Sequence, residues 1–255
     1  MTDCKPVSTP METGCKLTKS DDSPEVNQSE YRSMVGSLLY LTASRPDLMH
    51  AVCLVSRFQS APKQSHLIAI KRIFKYIQGT LDFGLWYSRN NDFTLVGFTD
   101  ADWAGCIDDR KSTSGAAFFL GDRLVAWHSK KQECVTLSTA ESEYIAATTC
   151  CTQLIWMSHQ LADMGITVDK PISIFCDNTS AISLSKNPVM HSRTKHVAIK
   201  LLFLREQVLA NEFQVLYVPS QAQVADIFTK ALSKEVFERL RDRLGVFSQS
   251  ALVST

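Results

Sequence analysis

Apolar positions recur at helical spacing through the first third of the chain. Tyr31, Met34, Val35, Leu38 and Leu39 form one stripe. Ser44 stands before Arg45-Pro46-Asp47, a helix-start signal, and Leu48, Val52 and Val55 follow. A third stripe holds Leu67, Ile70, Phe74 and Ile77, with Gly79 at the expected C-terminal cap. Three amphipathic helices are predicted over 29–79, forming a small helical subdomain. Past residue 80 the period shortens. Residues 94–99, 115–120 and 124–128 read as three neighbouring antiparallel strands. Then come a helix over 139–162, a short buried strand over 172–176, helical stretches over 179–185 and 195–210, and a fifth strand over 213–218. A helix over 221–232 and an amphipathic piece over 234–244 complete the pattern. The predicted order is β-β-β-α-β-α-α-β-α, an α/β (α+β) fold with a five-stranded mixed sheet.

Residues 1–28 are rich in Ser, Thr, Pro, Asp and Lys and read as a polar linker or severed connection. The organisation expected is 1–28 linker, 29–85 helical segment, 92–235 α/β domain and 236–255 C-terminal helix and tail. With 45% hydrophobic and 21% charged residues, the 255-residue chain has an ordinary globular composition. Its net charge of +1 means that any nucleic-acid contact must come from a local patch. No apolar run approaches the ~20 residues of a membrane helix, and the first 28 residues hold no signal-peptide core. Eight cysteines occur without a C-x-x-C pair. Free thiols and an intracellular, reducing setting are therefore expected, with no membrane and no zinc site.

Acids occupy informative positions on this pattern. Asp100 ends the first predicted strand and Asp177 the fourth. With those strands as parallel neighbours joined through the helix at 139–162, their ends lie ~4.8 Å apart. That is where α/β sheets place their sites. Two carboxylates there repel, and an oxygen-preferring divalent cation such as Mg²⁺ would relieve them. On the following helix, Glu143 shares a stripe with Ala147, Cys151, Leu154 and Leu161, the face that should pack on the sheet. Glu141 points elsewhere, and Ser138-Thr139-Ala140-Glu141 fits a capping box. Helix geometry therefore favours Glu143. Asp226 lies early in the helix predicted at 221–232, which Ser220-Gln221-Ala222-Gln223 would cap and Val224, Ile227, Phe228 and Ala231 would bury.

Residues 178–205 hold Lys186, Arg193, Lys195, Lys200 and Arg205, with His191 and His196 and no acid. This local positive segment suits a phosphate-contacting surface as well as a solvated helix face. Asn178 and Ser142 are polar residues beside the acids. Trp127, Trp156 and Tyr144 read as core.

Phe98-Thr99-Asp100, Ala140-Glu141-Ser142-Glu143-Tyr144, Cys176-Asp177-Asn178 and Val224-Ala225-Asp226 together resemble the ribonuclease H domain of Ty1/copia-type retrotransposon Pol polyproteins. Cys4-Lys5-Pro6-Val7-Ser8-Thr9-Pro10, Tyr31-Arg32-Ser33-Met34-Val35-Gly36, Ser44-Arg45-Pro46-Asp47 and Arg193-Thr194-Lys195-His196 extend the resemblance over almost the whole chain. The resemblance implies a ribonuclease H-like fold and an endonuclease that cuts the RNA strand of an RNA–DNA hybrid during reverse transcription. It implies two Mg²⁺ ions, with Mn²⁺ as a substitute. Asp100 would bridge them, with Asp177 and Glu143 on one and Asp226 on the other. The implied partners are the hybrid, contacted by Arg193, Lys195, His196 and Asn178, with Asn178 and Ser142 the candidates for sensing its 2′-hydroxyls, and the reverse transcriptase palm of the same polyprotein. The setting would be a cytoplasmic virus-like particle or the nucleus. Cellular ribonucleases H carry a His in the loop before the last Asp, whereas Tyr217-Val218-Pro219-Ser220-Gln221 has none. No Tyr-x-Asp-Asp polymerase motif occurs. Two other readings stand beside this one. One is an inactive Pol remnant that binds nucleic acid or a Pol partner. The other is a different nuclease of the same fold class, such as an integrase or resolvase.

Overall fold

The computed structural model describes residues 4–186 and 195–252, without the side chains of 195–201 and 251–252. The chain divides into two compact units. One comprises Met1–Tyr87, Gly105–Arg110 and Lys230–Thr255, and the other Ser88–Ala104 and Lys111–Thr229.

The first unit holds the predicted helices, α1 (Gln28–Leu41), α2 (Met49–Ser56) and α3 (Gln64–Gln78). Asn27 caps α1, its side chain accepting from the amides of Ser29 and Glu30. The buried face of α3 is His66, Ala69, Ile70, Ile73 and Tyr76, one position away from the stripe read through Leu67, Phe74 and Ile77. Polar partners explain the rotation. The His66 ring accepts from the Lys63 amide and meets the Thr18 carbonyl, and the Tyr76 hydroxyl donates to Asp47 at 2.7 Å. Arg45 makes a bidentate pair with Asp47 at 2.9 and 2.7 Å and also donates to the backbone and hydroxyl oxygens of Thr80. Arg-Pro-Asp thus forms a buried ionic knot as well as a helix start. Two three-residue strands absent from the sequence reading, β1 (Phe83–Leu85) and β7 (Val246–Ser248), pair antiparallel, and α7 (Lys234–Arg243) precedes β7.

In the second unit, β2 (Leu95–Asp102), β3 (Thr113–Leu120) and β4 (Arg123–Lys131) form an antiparallel meander. The helix α4 (Thr139–Asp163) then leads to β5 (Ile172–Cys176). After α5 (Thr179–Lys186) and α6 (Lys195–Leu209), β6 (Phe213–Tyr217) completes a five-stranded sheet of order β4-β3-β2-β5-β6. β5 lies parallel to both β2 and β6. The sequence pattern recovered the meander and the parallel placement of first and fourth strands. Strand ends ran longer than predicted, because polar residues such as Asp102 and Lys131 continue the ladder.

The α4 face of the sheet buries Ile172, Ile174, Cys176, Phe118 and Val215 against Tyr144, Ala147, Cys150, Cys151 and Leu154, with Leu204 of α6. The helix settles close because of Gly97. A Cβ there would meet Cys150 Sγ at 2.6 Å and Leu154 Cδ1 at 3.0 Å. Tyr144 is fully buried as expected, but Trp156 is 58% exposed. It lies off the Ala147–Cys151–Leu154 stripe, so size alone did not bury it.

The helix predicted over 221–232 does not form. Two 3₁₀ turns replace it, Ser220–Ala222 and Val224–Phe228. Gln223 separates them with φ −75° and ψ 99°. Its side chain donates to the Thr99 carbonyl at 2.9 Å and accepts from Ala225 N at 3.2 Å. Four of the five residues Val224–Phe228 are buried, which a tight turn lying flat on the sheet achieves. Among the described residues, no helix is long and apolar enough to cross a membrane.

Candidate active site

The order in which strands add to the sheet reverses between the parallel neighbours β2 and β5, and their pairing ends at Phe98↔Phe175. Asp100 and Asp177 each lie two residues beyond that pair. Alternation therefore sends Asp100 toward the face on which Phe98 and Phe175 stack, with ring centroids 4.8 Å apart, while Asp177 follows the last residue of β5. Asp100 is an interior residue of β2, paired with Gly115, and is only 1% exposed. Asp177 and Asp226 are half-buried.

Carboxylate oxygens of Asp100, Asp177 and Asp226 all lie within 4.8 Å of one another. A second group joins Asp177 to Glu143 and the Cys176 thiol, again with ligand atoms within 4.8 Å. Asp177 is common to both. Glu143 reaches this position from the buried first turns of α4, and Cys176 Sγ lies 3.9 Å from its Oε2. Burial pushes the Cys176 thiol well above its ordinary range, and the negative charge of Glu143 adds to the shift.

Glu141 occupies a different role. The Ser138 hydroxyl accepts from Glu141 N at 3.2 Å, and Glu141 Oε2 accepts from Leu137 N at 2.7 Å. This is the reciprocal cap read from the sequence, displaced by one residue at its return bond. Glu143→Gln is accordingly expected to lower turnover far more than Glu141→Gln, which costs at most a cap, on the order of 1 kcal/mol. Steady-state rates of the two variants decide it, and equal losses or the reverse order would assign the site to the wrong acid.

Ser142 is completely buried and donates to Thr139 O, so it offers nothing to a substrate. Asn178 caps α5, accepting from Ala181 N at 2.9 Å. Arg193 lies outside the described residues, and Lys195 and His196 are described only as backbone at the start of α6. The sequence reading missed three residues that touch the cluster's frame. The Ser220 hydroxyl donates to Asp177 Oδ2 at 2.8 Å, the Thr229 hydroxyl donates to Asp100 Oδ2, and Gln223 ties the turn to β2. Ser220 and Gln223 both belong to the capping box expected at 220–223, which gives them other partners, and Thr229 carries no sequence signal.

A meander followed by two parallel strands, with acids at the point of reversal, defines a ribonuclease H-like domain. The chain is 40% identical over 246 residues to the retrovirus-related Pol polyprotein from transposon RE2 of Arabidopsis thaliana, covering 96% of this chain and 17% of that protein. It is 39% identical over 255 residues to the corresponding polyprotein from transposon TNT 1-94 of Nicotiana tabacum, covering 97% and 19%. The chain belongs to the family of retrovirus-related Pol polyproteins of copia-type transposons, and it spans less than a fifth of these curated relatives. Among solved structures, LC11-RNase H1, isolated from compost, aligns over 58% of this chain and 97% of its own length at 12% identity, with a TM-score of 0.41. No family model matches the chain.

Proposed function

We propose that this chain is a Mg²⁺-dependent endonuclease that cuts the RNA strand of RNA–DNA hybrids during reverse transcription of its element. One observation carries the reading: three carboxylates with mutually close oxygens at the β2–β5 reversal, in a chain of the copia-type Pol family. The donor set fits the ion. Asp100, Asp177, Asp226 and Glu143 supply hard oxygens, the donors that this ion prefers. When bound there, two divalent ions supply activation of the attacking water and stabilisation of the leaving oxygen.

The chain's own residues do the rest. Asp100 and Glu143, both buried, offer carboxylate oxygens shielded from bulk water. Asp177 and Asp226 are the acids open to solvent, on the side from which a phosphodiester must arrive. The acid-free segment 178–205 carries five cations and is assigned to the phosphate backbone of the hybrid. The palm of the same polyprotein is the expected protein partner, in an intracellular particle or the nucleus.

The test offers the purified chain a labelled hybrid, duplex DNA or duplex RNA, with Mg²⁺, with Mn²⁺ or with chelator. Cleavage of only the RNA strand of the hybrid, abolished by chelator, is expected. Cleavage of duplex DNA would identify a different nuclease. Hybrid binding without cleavage in either metal would identify an inactive remnant.

A further inference from the structure

The segment that replaces the predicted last helix does more than carry Asp226. Ser220 and Thr229 stand at its two ends, and each hydroxyl donates to a different carboxylate: Ser220 to Asp177, just after β5, and Thr229 to Asp100, inside β2. We propose that Ser220 and Thr229 are positioning residues, forming with Gln223 a clamp that sets the spacing of the acid cluster. The inference rests on the reading of that cluster as a divalent-cation site.

Three features show that the clamp is built into the fold. First, Thr229 and Asp100 are each only 1% exposed, so water does not replace the contact. Thr229 Oγ1 also lies 3.2 Å from the Asp226 carbonyl. A hydroxyl has one hydrogen, and a carboxylate accepts it more strongly than an amide carbonyl does, so the proton goes to Asp100. Secondly, the segment is anchored independently of the acids. Gln223 is fully buried and fastened to the Thr99 carbonyl, one residue before Asp100. Thirdly, β3 makes room for it. A Cβ on Gly115, the cross-strand partner of Asp100, would meet Phe228 Cβ and Thr229 Cγ2 at 2.7 Å and the Ala225 carbonyl at 3.0 Å.

Carboxylates this close repel, and without donors each would rotate away from its neighbours. One short segment holds two of them by hydrogen bonds and carries the third. Orientation of an anionic ligand by an outer hydroxyl is the kind of support whose loss typically lowers metal affinity about 10–100-fold.

The experiment titrates Mg²⁺ alone, by calorimetry without nucleic acid, into the wild-type chain and into Thr229→Val, Thr229→Ser and Ser220→Ala. Hybrid KM and kcat are measured in parallel. Thr229→Val keeps the side chain's shape and removes the donor. It should weaken Mg²⁺ binding about 10–100-fold and lower kcat, with KM for the hybrid within a factor of about two. Thr229→Ser restores the donor and should return binding to near wild type. Ser220→Ala should show a smaller loss, because its site is exposed and water replaces the hydroxyl. Wild-type affinity in Thr229→Val overturns the proposal, as does a Thr229→Ser defect equal to that of valine, which would make the methyl group the reason for this residue. If Thr229→Val does not fold, the other two variants decide. Serine must then bind Mg²⁺ normally and Ser220→Ala must bind it more weakly, or the clamp is refuted. A wild-type chain that neither binds Mg²⁺ nor cuts hybrid refutes the cation-site reading itself. A wild type that does both while every variant matches it refutes only the clamp.

Discussion

Replacing Asp177 by Asn is expected to abolish hybrid cleavage while leaving the fold intact. The amide has almost the volume of the carboxylate, and its carbonyl oxygen can still accept the Ser220 hydroxyl that now reaches Asp177 Oδ2. What disappears is the charge common to both ligand groups, the one with Asp100 and Asp226 and the one with Glu143. Loss of one preorganised charge-stabilising group costs about 10²–10³ in kcat elsewhere, and a doubly shared acid should reach at least that. Stability should move the other way. In the absence of metal the cluster's carboxylates repel at short range, so neutralising one leaves the melting temperature equal or higher. Cleavage rates and thermal melts in chelator test both halves. Retained activity with a clear drop in melting temperature would make Asp177 a structural acid.

The largest stability effect is expected in the other unit, at Asp47. Its side chain is fully buried and accepts two bonds from Arg45 and one from Tyr76. Asp47→Ala leaves the Arg45 guanidinium and the Tyr76 hydroxyl buried without this acceptor. Removing one partner of a buried ion pair costs about 3–5 kcal/mol. A urea titration should show the midpoint fall accordingly. Adding Arg45→Met to Asp47→Leu should recover part of the loss, because an uncompensated charge, more than a missing attraction, is what destabilises the single variant. A loss below about 1 kcal/mol for Asp47→Ala would mean that the pair behaves like a solvent-screened surface bridge.

Both substitutions touch residues whose surroundings were unequally legible in the sequence. Asp100 and Asp177 stood out because each follows an apolar run of period two, a pattern that locates a strand and its end from neighbours in sequence. Glu143 could be separated from Glu141 because a helix of 25 residues fixes which side chains share a face. Local signals stopped there. The pattern at 221–232 met every rule for a capped amphipathic helix, yet five mostly buried residues satisfy the same rules as a 3₁₀ turn. What chose the turn was the Thr99 carbonyl, more than a hundred residues away. Thr229 is invisible for the same reason, and Ser220 shows only a helix-cap signal, because a hydroxyl's distant partner leaves no mark on its neighbours in sequence. Arg45 and Asp47 read as a helix start, and nothing local in sequence marks them as a buried pair. The pairing geometry came from the fold of α3 and its Tyr76. β1 and β7 have three residues each, too few to show a period.

Thr229 and Asp100 are separated by 129 residues, and that separation orders events in time. The β2–β3 hairpin and α4 close over short stretches of chain, and such contacts form early. The contact between Thr229 and Asp100 waits for β5 and β6 to add in parallel and for the chain after β6 to dock, a slow class of step. Ellipticity should therefore return before Mg²⁺-binding capacity when the unfolded protein is diluted into buffer. A chain ending before Val224 would contain the sheet and Asp100, Glu143 and Asp177, but neither Asp226 nor Thr229. The acid cluster is the last part of its unit to come into being, completed by the final ten residues of that unit.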